Sequence, residues 1–423
     1  MSRSLALLSL LLLVFPAEAK RRAASLRLPS SDSIVAISVG SQNGCALRAN
    51  GTLVCWGHGA FGSLGNGALP AVELRPVRVQ GGPWQSVSVG GHGACGTIGG
   101  RTFCWGTDVG GGLGQGFVST GCGGTSDWNA GCSPVPVEVI GGHRFVTISA
   151  GGNIERSFGP PFVRFTCGLT ESGQAFCWGS DTDGELGDGA QYPNDNPYPI
   201  AVATDARFTS IAAGIDHACA IDLDGRAWCW GGDEWGDLGR NAFNFVGATP
   251  QPVQGDLRFR QLDANRNHTC GVTVDGDVYC WGYNGFGQLG TASEVRDCSD
   301  DPRWPFPCGL TPTRVTSDRK FTRVTTGGAH TCAVADDGQS FCWGAAAEVG
   351  QSSPETVACP SSPTDRCVMT PSAVETSERF TQVDAGRRVT CGLAKSGRVL
   401  CWGSDFYGPQ SVTPRVVIDS VTR

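Results

Sequence analysis

Cysteine is the residue with most chemistry to offer in this 423-residue chain, which contains twenty. Fourteen recur as pairs: Cys45 and Cys55, Cys95 and Cys104, Cys167 and Cys177, Cys219 and Cys229, Cys270 and Cys280, Cys332 and Cys342, Cys391 and Cys401. The partners stand ten residues apart in six pairs and nine in the second. Zinc would want Cys-x2-Cys or mixed Cys/His spacing. An isolated pair in each repeat offers only two ligands, so no metal is expected. Disulfide chemistry fits the spacing better. The midpoint of Cys219 and Cys229 is Asp224, so a loop Leu223-Asp224-Gly225, with Gly225 in the left-handed bulge position, sets the two cysteines opposite each other. Between Cys95 and Cys104 the hairpin is one residue shorter, and Gly99-Gly100 forms a two-residue turn. Counting outward from either turn puts the pair at a non-hydrogen-bonded site, where opposed Cβ atoms lie about 4.5 to 5.5 Å apart. The competing reading is buried free thiols acting as small hydrophobes. The other six cysteines fall as Cys122 with Cys132, Cys298 with Cys308, and Cys359 with Cys367, each pair closing a local loop.

Acid–base chemistry is poorly supplied. Of six histidines, His217, His268 and His330 stand at one repeat position two residues before a strand cysteine, with His92 close to it. A catalytic base is needed once, whereas a repeated residue marks a property of every unit. Asp224, Asp275 and Asp337 belong to hairpin turns. No Gly-x-Ser-x-Gly, phosphate loop or His-Glu-x-x-His occurs. Neither an enzyme nor a cofactor is expected.

The elements that must hold these residues form a repeat. Cys-Trp-Gly occurs seven times, with its tryptophan at Trp56, Trp105, Trp178, Trp230, Trp281, Trp343 and Trp402, and intervals of 49, 73, 52, 51, 62 and 59 residues. Such a unit is blade-sized. Four short strands can be read in each: A, like Phe208 to Gly214; B, carrying the first cysteine; C, ending in Cys-Trp-Gly; and D, following a proline as in Pro312-Thr-Arg-Val315. The first copy of A is Ile34 to Val39 and the last of D is Pro414 to Val417, so the two ends are expected to meet in a ring. With 62 Gly, 24 Pro and 2 Met the composition is all-β.

Residues 1–19 read as an export signal: Arg3, an apolar run from Leu5 to Phe15, then Ala17-Glu18-Ala19. An uncleaved anchor is the alternative, although the run is shorter than the roughly 20 apolar residues of a membrane span. Residues 20–32 then form a basic linker, 33–418 the propeller and 419–423 a tail. Export places the cysteines where disulfides persist, extracellularly or in a periplasm. Net charge is −7, and the only basic run is Lys20-Arg21-Arg22, so nucleic acid is an unsuitable partner.

The combination His-Thr-Cys, Asp-Gly, Cys-Trp-Gly and Gly-Gln-Leu-Gly, clearest from His268 to Gly290 and recognisable from Asp216 to Gly239, resembles the regulator-of-chromosome-condensation repeat. That superfamily includes the propellers like β-lactamase-inhibitor protein II. The resemblance covers residues 33 to 418 and implies a seven-bladed β-propeller with four-stranded antiparallel blades, in agreement with the repeat count. Phe406-Tyr407-Gly408 stands where Leu-Gly is expected, so the last blade is expected to be irregular.

In such blades A-to-B and C-to-D connections share one face. The long stretches are C-to-D: 115 to 133, 291 to 311 and 345 to 370, with an A-to-B insertion from Gly152 to Arg164 on the same face. Long loops on a rigid scaffold are where function sits. Trp128, Trp304 and Phe306 lie between the loop cysteines, and Trp235 and Tyr283 follow Cys-Trp-Gly, as does Phe286, read as packing. These aromatics are candidate anchors for a partner; the alternative is that each fills its own loop. The expected function is a monomeric, exported protein-interaction module without membrane insertion, binding an extracellular protein. An inhibitor of a secreted hydrolase and a glycan-binding propeller are alternatives. Guanine-nucleotide exchange, which the family also implies, conflicts with export. Asn50-Gly-Thr52 and Asn267-His-Thr269 match the N-glycosylation acceptor.

Overall fold

Hairpin turns at near-regular spacing and β-branched strands dictate a chain of antiparallel meanders, and the computed structural model shows seven, one per repeat. It describes residues 31–117, 131–152, 164–190, 193–243, 245–291, 296–298, 306–404 and 411–419. Blade 4 is representative: strand A is Phe208–Ala213, B His217–Asp222, C Ala227–Asp233 and D Phe245–Pro252, hydrogen-bonded in that order. The expected first strand A is Ile34–Val39, and the last strand D runs Ser411–Ile418.

Two details differ from the expectation. Blades 5 and 6 carry a short fifth strand, Arg296–Asp297 and Val357–Cys359, so they are five-stranded. Strand D also does not start after its proline; Pro312 lies within Pro307–Arg314, and Pro371 within Ser362–Ala373. Pro312 and Pro371 lie past the residues of D that pair with the fifth strand, so their missing N–H faces an open edge and costs no ladder bond, and the register shifts between Cys280 and Gly282 and between Cys342 and Gly344 absorb the irregularity.

The B–C hairpins follow the cysteine parity. Cys219 faces Cys229 with Cα atoms 4.1 Å apart, and Gly225 takes φ 81°. In blade 2 the turn is Gly99-Gly100, with φ 59° and 77°. All seven repeat pairs are disulfides, as are Cys298–Cys308 and Cys359–Cys367. Cys132 is disulfide-bonded too, while Cys122 lies outside the described residues.

Side chains join blade to blade. The penultimate residue of strand A accepts a backbone N–H from the next blade: Ser38 from Val89 at 3.0 Å, Ser88 from Ala150 at 2.9 Å, Ser149 from Ala213 at 2.9 Å. Asp263 accepts from Thr326, Thr325 from Ala385, and Asp384 from Val39, which closes the ring. The Gln382 amide also bridges Ile37, accepting its N–H at 3.2 Å and donating to its carbonyl at 2.7 Å. The belt has one gap, at Ala212. Farther out, four of the seven Cys-Trp-Gly indoles donate to the preceding blade: Trp105 to the Ser63 carbonyl, Trp230 to Glu185, Trp281 to Asp237 and Trp343 to Gln288, at 2.8 to 3.1 Å.

Candidate partner-binding face

Strand parity puts two sets of connections on one end. The residue after Cys-Trp-Gly donates its N–H to the A–B turn, as Gly232 does to Asp216 at 2.8 Å, Tyr283 to Asn267 at 2.7 Å and Ala345 to Ala329 at 2.9 Å. The opposite end is short and closed: Phe208, Phe259 and Phe321 donate to the B–C turn carbonyls of Gly173, Gly225 and Gly276, each at 2.8 Å.

The C–D turns are braced from beneath. Asp108, Asp181, Asp233 and Asn284 each accept the N–H of the leucine five residues on, at 2.9 to 3.1 Å. Leu113, Leu186, Leu238 and Leu289 are fully buried. A turn held at both ends presents its tip rigidly, and the tip residue differs from blade to blade: Asp183 in blade 3, Trp235 in blade 4, Phe286 in blade 5.

Three predicted anchors come together there. The Trp235 ring lies 5.1 Å from Tyr283 and 4.8 Å from Phe306, and Tyr283 lies 6.3 Å from Phe286. All four are half-buried, so packing and exposure are both present. Phe306 is fixed by its carbonyl accepting the Cys298 N–H at 2.8 Å, beside the Cys298–Cys308 disulfide. Tyr283 hydrogen-bonds Ser361, whose N–H and hydroxyl both donate to the Gly285 carbonyl, and burial holds its phenol above the usual range. Ser361 belongs to the turn between Val357–Cys359 and Ser362–Ala373, so much of the expected loop 345–370 is a hairpin that buttresses blade 5. Trp128 and Trp304 lie outside the described residues, as do residues 1–30, the insertion 153–163 and Phe406-Tyr407-Gly408.

Beside the aromatics is a group of carboxylates that sequence reasoning passed over. A Cβ placed on Gly232 would lie 3.4 Å from Asp216 Cγ and 3.5 Å from Asp183 Cβ, so these two side chains from neighbouring blades share one glycine floor. Glu234, two residues on, is exposed. Beneath them Asp181 and Asp233 are pushed up to about 6 by burial, and burial raises Glu185 and Asp237 well above the carboxylate range. Burial and then the Asp216 charge raise Asp183 and Glu234. The signal was the run Asp181-Thr-Asp-Gly-Glu185 and its counterpart Asp233-Glu-Trp-Gly-Asp237 at equivalent turns.

The histidines do pack. His217, His268 and His330 are fully buried, with Nε2 2.9, 2.9 and 2.7 Å from the hydroxyls of Thr269, Thr331 and Thr390 in the next blade. Burial lowers His268 to about 3 and His330 to about 4, so both stay neutral. On the axis a cavity of about 160 Å³ is lined by Ser38, Asp263, Asn265, Asp384 and Arg387, among others. Of the two glycosylation matches, Asn50 is exposed on the short-turn face. Asn267 is half-buried, and with its amide oriented to accept, it takes the Trp235 indole N–H.

Two profiles of the "Regulator of chromosome condensation (RCC1) repeat" match, one at residues 172–221 and 275–334, the other at 34–63, 145–185, 259–288, 321–351 and 380–408. The Arabidopsis thaliana "Ultraviolet-B receptor UVR8" is 26% identical over 339 residues, covering 77% of this chain and 69% of that protein. The human "E3 ubiquitin-protein ligase HERC2" is 29% identical over 305 residues, 71% of this chain but only 6% of that protein. Among solved structures, Prp20p from Saccharomyces cerevisiae, described with its binding properties to Gsp1p and histones, superposes with a TM-score of 0.70 at 21% identity, covering 93% of this chain and 89% of that one.

Proposed function

Because the chain belongs to the regulator-of-chromosome-condensation repeat family, we propose that it is a non-catalytic protein-interaction module, exported from the cell, that holds its partner on the face formed by the A–B and C–D connections. The observation that carries this reading is the aromatic group Trp235, Tyr283 and Phe306, half-exposed at 4.8 to 5.1 Å spacing on turns pinned by a disulfide and a buttressing hairpin. Rigid aromatics lose little entropy on binding and are enriched among residues that dominate interface energy. Export is supported by residues 1–19 and by the disulfides, which persist in oxidising compartments. Among the described residues no helix is long and apolar enough to cross a membrane.

The test is affinity capture from the fluid that surrounds the producing cell, followed by titration of the captured partner against Trp235→Ala and Phe306→Ala. Truncating a true anchor costs about 2 kcal/mol or more, roughly a thirtyfold loss of affinity. Asp224→Ala on the short-turn face is the control. Unchanged binding by both aromatic variants, with loss in the control, places the partner on the other face and overturns the proposal.

A further inference from the structure

We propose that Asn50 is an acceptor for N-linked glycosylation, taking an oligosaccharide from a polyisoprenyl-diphosphate donor as the chain is exported, and that Asn267, the other match to the acceptor motif, is not. This rests on the export part of the reading above and is independent of where a partner binds.

Asn50 stands at the tip of the B–C hairpin of blade 1, between strands Asn43–Arg48 and Leu53–His58. Its Oδ1 accepts the Thr52 N–H at 2.8 Å, and the Arg48 N–H closes the turn beneath on the Thr52 carbonyl, also at 2.8 Å. Asparagine favours such tips because its side chain can bond the backbone two residues on. The amide oxygen is thereby turned in against the hairpin, and Nδ2, the atom that takes the sugar, lies on the exposed side. Among the described residues the hydrogen bonding of Nδ2 is one marginal contact, 3.5 Å to the carboxylate of the exposed Asp32. Replacing one Nδ2 hydrogen by a sugar leaves Oδ1 bonded to Thr52, so the turn survives the modification. Next to it Gly51, at φ 79°, is buried against Pro83 and accepts the Trp84 N–H at 2.8 Å, which fixes the tip on blade 2 while Asn50 stays exposed.

Asn267-His268-Thr269 has the same residue types in a closed setting. Its amide oxygen accepts the Trp235 indole N–H, and its nitrogen donates to the Arg266 carbonyl at 3.3 Å. The motif also requires the hydroxyl of its third residue. In Thr269 that group is fully buried, donating to the Asp237 carbonyl at 3.2 Å and lying 2.9 Å from His217 Nε2, whereas Thr52 is half-buried. Reaching Thr269 means parting blades 4 and 5, and a sugar attached to Asn267 before folding would displace the Trp235 ring. The tip at Asn50 is open before folding and after it.

In the transfer the bond from C1 of the first sugar to the diphosphate oxygen breaks and the C1–Nδ2 bond forms. One amide proton goes to a base of the transferase, the polyisoprenyl diphosphate leaves with the bonding electrons, and nothing is oxidised or reduced. Because the B–C turns form the short-turn face, the bulky, solubilising sugar sits on the end away from Trp235, Tyr283 and Phe306 and leaves that group uncovered.

The experiment expresses the full chain in a eukaryotic secretory host and treats protein from the medium with peptide-N-glycosidase F in heavy-oxygen water. The enzyme turns a glycosylated asparagine into a labelled aspartate, which peptide mass mapping locates. A parallel digest without enzyme subtracts spontaneous deamidation, to which the Asn50-Gly51 sequence is prone. Enzyme-dependent label is expected at Asn50 and not at Asn267, with one glycan's shift in gel mobility that Asn50→Gln and Thr52→Ala abolish and Asn267→Gln leaves unchanged. Mapping the parent protein requires no variant to fold. Label at Asn50 that does not depend on the enzyme, no label there, or label at Asn267 overturns the inference while export stands. Chain found only in the cytosol with residues 1–19 attached overturns the export reading and this inference with it.

Discussion

Filling the one gap in the axial belt should stabilise the propeller. Six blade junctions are closed by a side-chain acceptor on the penultimate residue of strand A, and the seventh has Ala212 at that position. By the symmetry of the repeat, a serine there would offer a hydroxyl acceptor to the N–H of Ala264, which in the parent lies beside its neighbour's Asp263 carboxyl. Ala212→Ser installs the residue found at Ser38, Ser88 and Ser149, at a site 6% exposed. A net neutral hydrogen bond is worth about 0.5 to 1.5 kcal/mol. The reverse change, Ser149→Ala, strands the Ala213 N–H in a buried strand and costs about 1 to 3 kcal/mol. An unfolding entropy of about 2.1 cal/mol/K per residue gives a ring of this size a shift of roughly 1 °C per kcal/mol. Differential scanning calorimetry at one scan rate and under non-reducing conditions should therefore show Ala212→Ser about 1 °C above the parent and Ser149→Ala about 1 to 4 °C below it. If neither variant moves the midpoint, the belt does not hold the blades together and the closure argument fails.

The two carboxyls in that belt predict an inverted pH dependence. Burial pushes Asp384 up to about 7, helped by the Asp263 charge, and Asp263 up to about 6. The folded state thus holds protons that the unfolded chain releases above the ordinary carboxylate range, and their contribution to stability falls as pH rises through about 4 to 7. Asp384→Asn should flatten the decline in melting midpoint across that window, and parallel curves for variant and parent would discard the idea. At the Leu-Gly joint, Gly239 takes φ 66° and a Cβ there would lie 3.0 Å from the Trp281 ring and 2.9 Å from Val253. Gly239→Ala should cost about 1 kcal/mol or more from backbone strain alone, measured by denaturant midpoint; a neutral result shows the joint to be loose. Non-reducing peptide mapping should recover all seven repeat disulfides within their own blades, and free Cys219 and Cys229 or links between blades would contradict the hairpin register.

How much could be read in advance depends on whether the deciding contacts are local. The Cys219–Cys229 hairpin was legible because ten residues and one glycine fix its parity. The face of Trp235, Tyr283 and Phe306 followed from the same parity carried through whole blades. The hairpin inside 345–370 was not legible: its residues Pro363 to Arg366 are exposed, so no alternation of apolar and polar residues marks a strand. Proline within strand D was misjudged for a related reason, since an outer edge tolerates what a central strand would not. The belt was hidden because Ser, Thr and Asp do one job at one position, which no residue pattern announces. The Asp183–Asp216 pair is assembled by two blades and has no spacing in sequence at all.

This contrast bears on where recognition lies. The positions that repeat, such as the cysteines, the indoles of Cys-Trp-Gly, the leucines and the His–Thr contacts, are buried and join one blade to the next. A side chain spent on a junction is unavailable to a partner, so specificity has to come from positions where the repeat is silent. The tip of the C–D turn is such a position, held by the same Asp- or Asn-to-leucine brace yet carrying Asp183, Trp235 or Phe286 in different blades. Because every tip is anchored alike, changing one residue there alters the surface without disturbing the scaffold. Blades 3 to 5 use that freedom most, placing a carboxylate on one tip and aromatics on the next two. A partner that reads this chain apart from other propellers of the same repeat has to read it there.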